Sequence, residues 1–337
     1  MILKPDTSLI STGDFLDIYH KIKQKGVPKF FSLLSSNSKR VANKWDTYQS
    51  TSDFWIIPEI KQEWNYKISG NPDVFYEDYV VDKYFKNKKG LRLLSIGCGE
   101  GQHERNFTRY NCFSEVVGVD LSEKRIIRAR EKAKNERLKI TYYASDFRKL
   151  NFEKESFDVI LFSSSLHHFE AIDELLKNDI SSLLHKNGLL VVFEFSGPNR
   201  LQWKKHQLKA ANELLHEIPK NYRLLYDRKT LKKKVYRPGL IRMYLVDPSE
   251  APDSANLVKA IHDNFSVIEE SMLGWNLLHL TLKGIAHNFL NHEKETKKLI
   301  QYLIQKENEY VVETGESDAV FGVNQKSDLS LIQTNIP

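Results

Sequence analysis

Cysteine is nearly absent: Cys98 and Cys112 are the two in 337 residues. Two thiols make no disulfide framework, and neither has a second metal-binding side chain at the short spacing of zinc sites. A reducing, cytoplasmic setting is therefore expected, with no metal. Long apolar runs are also missing. The longest, residues 189–193, spans five positions, against the ~20 of a membrane-spanning helix. Residues 1–12 lack the basic, apolar and small-residue succession of a secretory leader. Repeats and low-complexity tracts are lacking as well. What the chain does hold is core material, with 41% hydrophobic and 11% aromatic residues, which excludes global disorder. Its length suits one large domain with added elements.

Net charge is only +6, but twelve Lys/Arg stand against three Asp/Glu between positions 201 and 242. That segment carries +9, which leaves −3 for the rest. Such a block is either a solvated helix face or an attractor for an anionic partner such as a phosphate, a nucleotide or RNA.

From residue 91 the pattern becomes regular. Short apolar strands are expected at 91–96, 115–119, 140–143, 157–162 and 188–195. Helical stretches separate them, at about 102–110, 122–137 and 171–185. Continuous apolar strands alternating with helices mean a parallel sheet covered on both faces. The fold class is therefore α/β, a doubly wound and mostly parallel sheet, whose ligands lie at the carboxyl ends of the strands. Residues 1–90, mixed and aromatic-rich with helical spacing at 14–25 and 73–85, read as a helical cap. After the core of 91–200, residues 201–264 read as a basic lid ending in a helix. Strands at 265–270 and 277–282 would form an antiparallel hairpin across Gly274, and a helix would follow to about 309. The tail from 311, poor in large apolar residues, is expected to be loosely held.

The most informative stretch is Gly97-Cys98-Gly99-Glu100-Gly101 between a strand and a helix. Glycines let the backbone turn tightly and approach a ligand that a Cβ would exclude. The Lys-Ser/Thr of a phosphate-binding P-loop is missing. Asp120 ends the second strand, nineteen residues after Gly101, where it can accept from both hydroxyls of a ribose. Asp146 ends the third and can accept from an adenine amino group, with Phe147 bordering the base.

Together, Leu94-Ser-Ile-Gly-Cys-Gly-Glu-Gly101, Val117-Gly-Val-Asp-Leu-Ser122, Ala144-Ser-Asp-Phe147, Phe157-Asp-Val-Ile160 and Leu183-Leu-His-Lys-Asn-Gly-Leu-Leu190 resemble the class I S-adenosylmethionine (SAM)-dependent methyltransferases. The resemblance covers roughly residues 90–200 and implies a seven-stranded sheet with SAM as cofactor. It places the methionine moiety on Gly97, Cys98, Gly99 and Gly101, the ribose on Asp120 with Leu121, and the adenine on Asp146 and Phe147. Ser163, at the end of the fourth strand, borders the same cleft. A nicotinamide-binding fold is the competing reading of a glycine-rich loop.

In this family the segment after the fourth strand decides the reaction. Enzymes acting on the exocyclic amines of bases carry an Asn/Asp-Pro-Pro-aromatic run there; this chain has Ser163-Ser-Ser-Leu-His-His-Phe169. The run resembles methyltransferases of small molecules, sugars and natural products. Methyl transfer from a sulfonium needs proximity and a base for the acceptor proton, and His168, His167 and Glu194 are the candidates. His168 is favoured, as the one further from the strand. Either histidine can instead cap the following helix, and Glu194 can be a structural pairing group. Glu194-Phe-Ser-Gly-Pro-Asn-Arg-Leu-Gln-Trp203 resembles a bacterial subset linked to surface glycans or secondary metabolites. It would bring Arg200 and Trp203 near an acceptor, unless they are a surface arginine and a packed tryptophan. Lys44-Trp-Asp-Thr-Tyr48 and Asp53-Phe-Trp55 look like the cap of these enzymes. The leading expectation is O-methylation of a small-molecule or saccharide acceptor, an anionic one included. An RNA or protein methyltransferase docking through 201–242 is the alternative, and a degenerate scaffold the non-enzymatic one.

Overall fold

A computed structural model of the protein describes residues 8–11, 13–14, 52–246 and 248–326. The cap segment 44–48, most of the helix expected at 14–25, and Asp247 lie outside the described residues.

Two helices precede the sheet: α1 (Pro58–Ser69), ended by Gly70 in the left-handed region, and α2 (Tyr76–Val80), which runs on into a wide turn, Val81–Phe85. The core alternates as expected through β1 (Leu91–Ile96), α3 (Gln102–Thr108), β2 (Phe113–Asp120), α4 (Glu123–Asn135), β3 (Thr141–Ala144), β4 (Phe157–Ser163) and β5 (Leu184–Phe195). Local chemistry sets the boundaries. Ser122 caps α4 by accepting from the Arg125 N–H at 3.2 Å, which satisfies one of the donors that a helix start leaves over. β1 and β4 are buried along nearly their whole length, since helices cover both faces.

Beyond β5 come α5 (Lys205–Glu217), α6 (Leu240–Val246), α7 (Leu257–Asn264), β6 (Phe265–Gly274), α8 (Leu278–Leu282), α9 (Lys294–Thr314) and β7 (Ala319–Lys326). The sheet has seven strands in the order β3-β2-β1-β4-β5-β7-β6, with β7 antiparallel to both of its neighbours. The antiparallel terminal pair is thus present, but it does not lie where the sequence placed it. Of residues 277–282, expected as its second strand, Leu278–Leu282 are helical. The Glu307 carboxylate takes the N–H groups of Asn276, Leu277 and Leu278 at 2.7–2.9 Å and starts α8. At the other end, the Lys232 ammonium donates to the carbonyls of Leu280, Thr281 and Lys283. The second strand is β7, drawn from the tail expected to be loose, and its first six residues are all buried.

The crossover order changes direction between β1 and β4: β2 and β3 lie to one side, β5 to the other. A crevice opens at the carboxyl ends of strands at such a point.

Candidate functional site

Gly97, Gly99 and Gly101 follow β1 with φ of 78°, 57° and 74°. All three occupy left-handed backbone that glycine adopts without strain. Their surroundings differ. A Cβ on Gly97 would collide with the Ser165 side chain, and one on Gly101 with the Tyr142 hydroxyl. A Cβ on Gly99 would meet only the end of the Arg125 side chain, at 3.2 Å. Two of the glycines are therefore required by the chain's own packing, whereas Gly99 faces only the movable end of Arg125.

Asp120 closes this loop. Its Oδ2 accepts from the Gly99 N–H at 2.9 Å and its Oδ1 from the Ser122 N–H at 2.8 Å. A carboxylate has about four accepting positions, of which the two N–H groups take two. Leu121 beside it is exposed. The Asp120 carbonyl accepts from the Ser145 N–H at 2.9 Å, which ties the end of β2 to Asp146. That side chain is half-buried and accepts from the Arg148 N–H at 3.0 Å, and the buried Phe147 ring meets Phe169 edge-on at 6.1 Å. Cys98 is buried beneath the loop, where burial raises its thiol pKa well above the usual range.

After β4 the chain turns through Ser164 at φ 53°. Glu194 holds this turn from β5 and has no solvent exposure. Its Oε1 accepts from the N–H groups of Ser165 and Leu166 at 2.6 and 2.7 Å, and its Oε2 meets His167 Nδ1 at 2.7 Å. A buried carboxylate is tolerable only with such partners. The rings of His167 and His168 lie 4.2 Å apart, and His168 Nδ1 stands 3.0 Å from the Ser249 carbonyl oxygen. Both Nδ1 atoms face oxygens that accept, so each Nδ1 carries a proton and, in the neutral tautomer, Nε2 is the basic nitrogen.

Arg200 and Trp203 lie beside this turn but point into the protein. The Arg200 backbone is left-handed, at φ 56°. Its guanidinium donates to the carbonyls of Pro248 and Glu250 and sits 4.8 Å over the Tyr244 ring. It fastens the 248–250 turn that His168 touches. Trp203 is buried against His279 at 5.8 Å, which in turn stacks on Phe54 at 5.3 Å. Burial lowers the His279 pKa to about 3, so the ring is neutral within this aromatic cluster.

Four of the twelve cations of the basic segment are engaged within the chain. Besides Lys232 at α8, Lys204 pairs with Glu316 at 2.5 Å, Arg237 donates to the Trp203 carbonyl at 2.8 Å, and Arg242 faces Asp14 at 3.5 Å. Among the described residues, no three His, Cys, Asp or Glu side chains are grouped to hold a metal ion, and no helix is long and apolar enough to cross a membrane.

One group escaped the sequence analysis. His103, in the first turn of α3, meets Glu77 Oε1 and the Tyr76 hydroxyl at 2.8 Å each through Nδ1, and Ser163 Oγ at 3.1 Å through Nε2. Its partners lie 26 to 60 positions away, so spacing could not reveal them.

A methyltransferase-domain family model matches residues 94–192, the stretch that runs from β1 through β5. The chain carries a class I SAM-dependent methyltransferase domain. The glycine-rich loop after β1, with acids closing β2 and β3, fits the cofactor of that family, SAM. Similar curated proteins include a ubiquinone biosynthesis O-methyltransferase of Pelagibacter ubique (strain HTCC1062), 36% identical over 34% of this chain and 47% of its own length. Another, of Bradyrhizobium sp. (strain ORS 278), is 29% identical over 51% and 68%. A sterol 24-C-methyltransferase of Candida albicans (strain SC5314 / ATCC MYA-2876) is 27% identical over 53% and 47%. The chain thus spans about half the length of the first of these relatives and of the sterol enzyme. Among solved structures, the geranyl diphosphate C-methyltransferase of Streptomyces coelicolor A3(2) aligns over 88% of this chain and all of its own, with a TM-score of 0.49 and 13% identity.

Proposed function

We propose that this methyltransferase acts on a hydroxyl of a small molecule, with His167 as the base. The observation that carries the reading is the Glu194–His167 pair at the carboxyl ends of β5 and β4, 2.7 Å apart and buried. Bound SAM supplies an electrophilic methyl group on a good leaving group. A hydroxyl acceptor is a weak nucleophile until its proton leaves. His167 Nε2 takes that proton, and Glu194 steadies the imidazolium that forms. His168, the base expected from the sequence, has its Nδ1 on a main-chain carbonyl instead of a carboxylate, and it orients the 248–250 turn beside the acceptor. Two of the similar proteins are named as O-methyltransferases, which supports oxygen as the acceptor atom. Lys204, Lys232, Arg237 and Arg242 are engaged internally, which takes four of the twelve cations of 201–242 away from an RNA partner.

Incubation with methyl-¹³C SAM and a panel of phenols, catechols and free sugars tests the proposal. A methoxy product from an aromatic hydroxyl is expected; a carbon-bound methyl group, or turnover of RNA alone, overturns it. On the accepted substrate, His167→Ala should lower kcat roughly 10²–10⁴-fold with SAM affinity unchanged. A larger loss in His168→Ala would reverse the assignment of the two rings.

A further inference from the structure

At the crevice between β1 and β4 a side-chain contact runs from His103 on α3 to Ser163 at the end of β4, at 3.1 Å. One third of the His103 side chain is exposed there. Behind it, Nδ1 faces Glu77, itself buried and also bound by Asn106 Nδ2 at 2.9 Å. Burial alone would lower the histidine pKa; the Glu77 carboxylate outweighs it, and the ring is held above the usual range. Burial likewise pushes the Glu77 pKa up, and its bonds to His103 and Asn106 bring it below normal. Two further charged groups act on the ring from its own helix, Glu104 favouring the imidazolium and Arg105 opposing it. Burial raises the Tyr76 hydroxyl well above its usual pKa, so it remains a neutral partner. The surroundings therefore favour imidazolium against carboxylate, with Nδ1 turned to Glu77 and Nε2 turned to Ser163 and the crevice.

A cation there, next to the glycine-rich loop, suits one part of SAM. Adenine and ribose have their acids at Asp146 and Asp120, and the sulfonium is positive and would be repelled. What remains is the carboxylate of the amino-acid end. We propose that His103, with Ser163, seats the cofactor's amino-acid carboxylate, and that Glu77 and Tyr76 hold the ring in position for it. His103 is then a binding residue and Glu77 a positioning one. The cofactor site would be completed by side chains of α2, far outside the core motif.

This inference rests on SAM as cofactor and not on the identity of the acceptor. Calorimetric titration of the full chain, without acceptor, with SAM and with decarboxylated SAM decides it. The wild type should bind SAM about ten- to a hundredfold more tightly, the range of one or two charge-assisted bonds. His103→Ala should abolish that preference, weakening SAM while leaving decarboxylated SAM within about twofold. Should that variant fail to fold, His103→Asn serves: its amide nitrogen can keep the Glu77 bond, but nothing replaces Nε2, and the same collapse is expected. Glu77→Gln should reduce the preference partially. Equal losses for both ligands, as a purely structural tie between α2 and α3 would give, overturn the proposal. So does a wild type that binds the two alike. A wild type that binds neither would overturn the cofactor assignment itself, and the proposal with it.

Discussion

At the scale of single residues, the three loop glycines look alike in the sequence and differ in the fold. Gly97→Ala and Gly101→Ala bring a Cβ against Ser165 and Tyr142 on left-handed backbone, so both should lower the melting temperature. A loss of about 1–3 kcal/mol is expected from overpacking. Gly99→Ala meets only a movable arginine; its melting temperature should fall less, while SAM affinity measured by calorimetry drops at least about tenfold. Equal thermal losses in all three variants would contradict the division. The glycines and the acids after β2 and β3 could be found in the sequence because each lies within a few residues of a strand end. His103 could not, since what makes it functional is Glu77, a residue of another element. Glu194 was legible only as an anomaly, a carboxylate in an apolar strand. Its three partners, all from the turn after β4, appear only when β4 and β5 pair.

Elements follow the same division. The strands β1 to β5 announced themselves by apolar runs between helices. β7 did not, because Ala319, Gly322 and Asn324 give it little bulk and only Val320, Phe321 and Val323 are large and apolar. It is small because it is crowded: a Cβ on Gly322 would stand 3.1 Å from Val192 of β5. Residues 277–282 erred in the opposite direction. A run of six mostly apolar residues suits a buried helix as well as a strand, and the capping carboxylate of Glu307 lies thirty positions away. Truncation after Thr314 removes β7 and opens the facing edges of β5 and β6. That variant should show no cooperative thermal transition in circular dichroism, whereas a loosely held tail would leave the melting curve unchanged.

For the whole molecule, pH is an informative variable. Asp318, at the entrance to β7, is buried and accepts from Gln207 Nε2 at 2.6 Å. Burial raises its pKa to about 7 against an ordinary 3.8. The folded protein thus retains a proton that the unfolded chain releases near pH 4. Stability contributed by this group is present below that value, declines as pH rises towards 7, and is level above it. The decline amounts to at most about 4 kcal/mol, at about 1.4 kcal/mol per pKa unit. Asp318→Asn, whose amide oxygen still accepts from Gln207, should remove it. The melting temperature of the variant would then change less between pH 5 and pH 8 than that of the wild type. Matching profiles would show that Asp318 is ionised in the fold.

The position of β7 also bears on how the protein is made. A ribosome releases the chain from its amino end, at about 5–20 residues per second. Phe195 ends β5, and its neighbour in the sheet begins at Ala319. For roughly 6–25 s of synthesis, β5 therefore presents an unpaired edge to whatever is nearby. The nascent protein passes through an interval when β5 is open to another strand, and that is when chaperone dependence, or aggregation on overexpression, should be greatest.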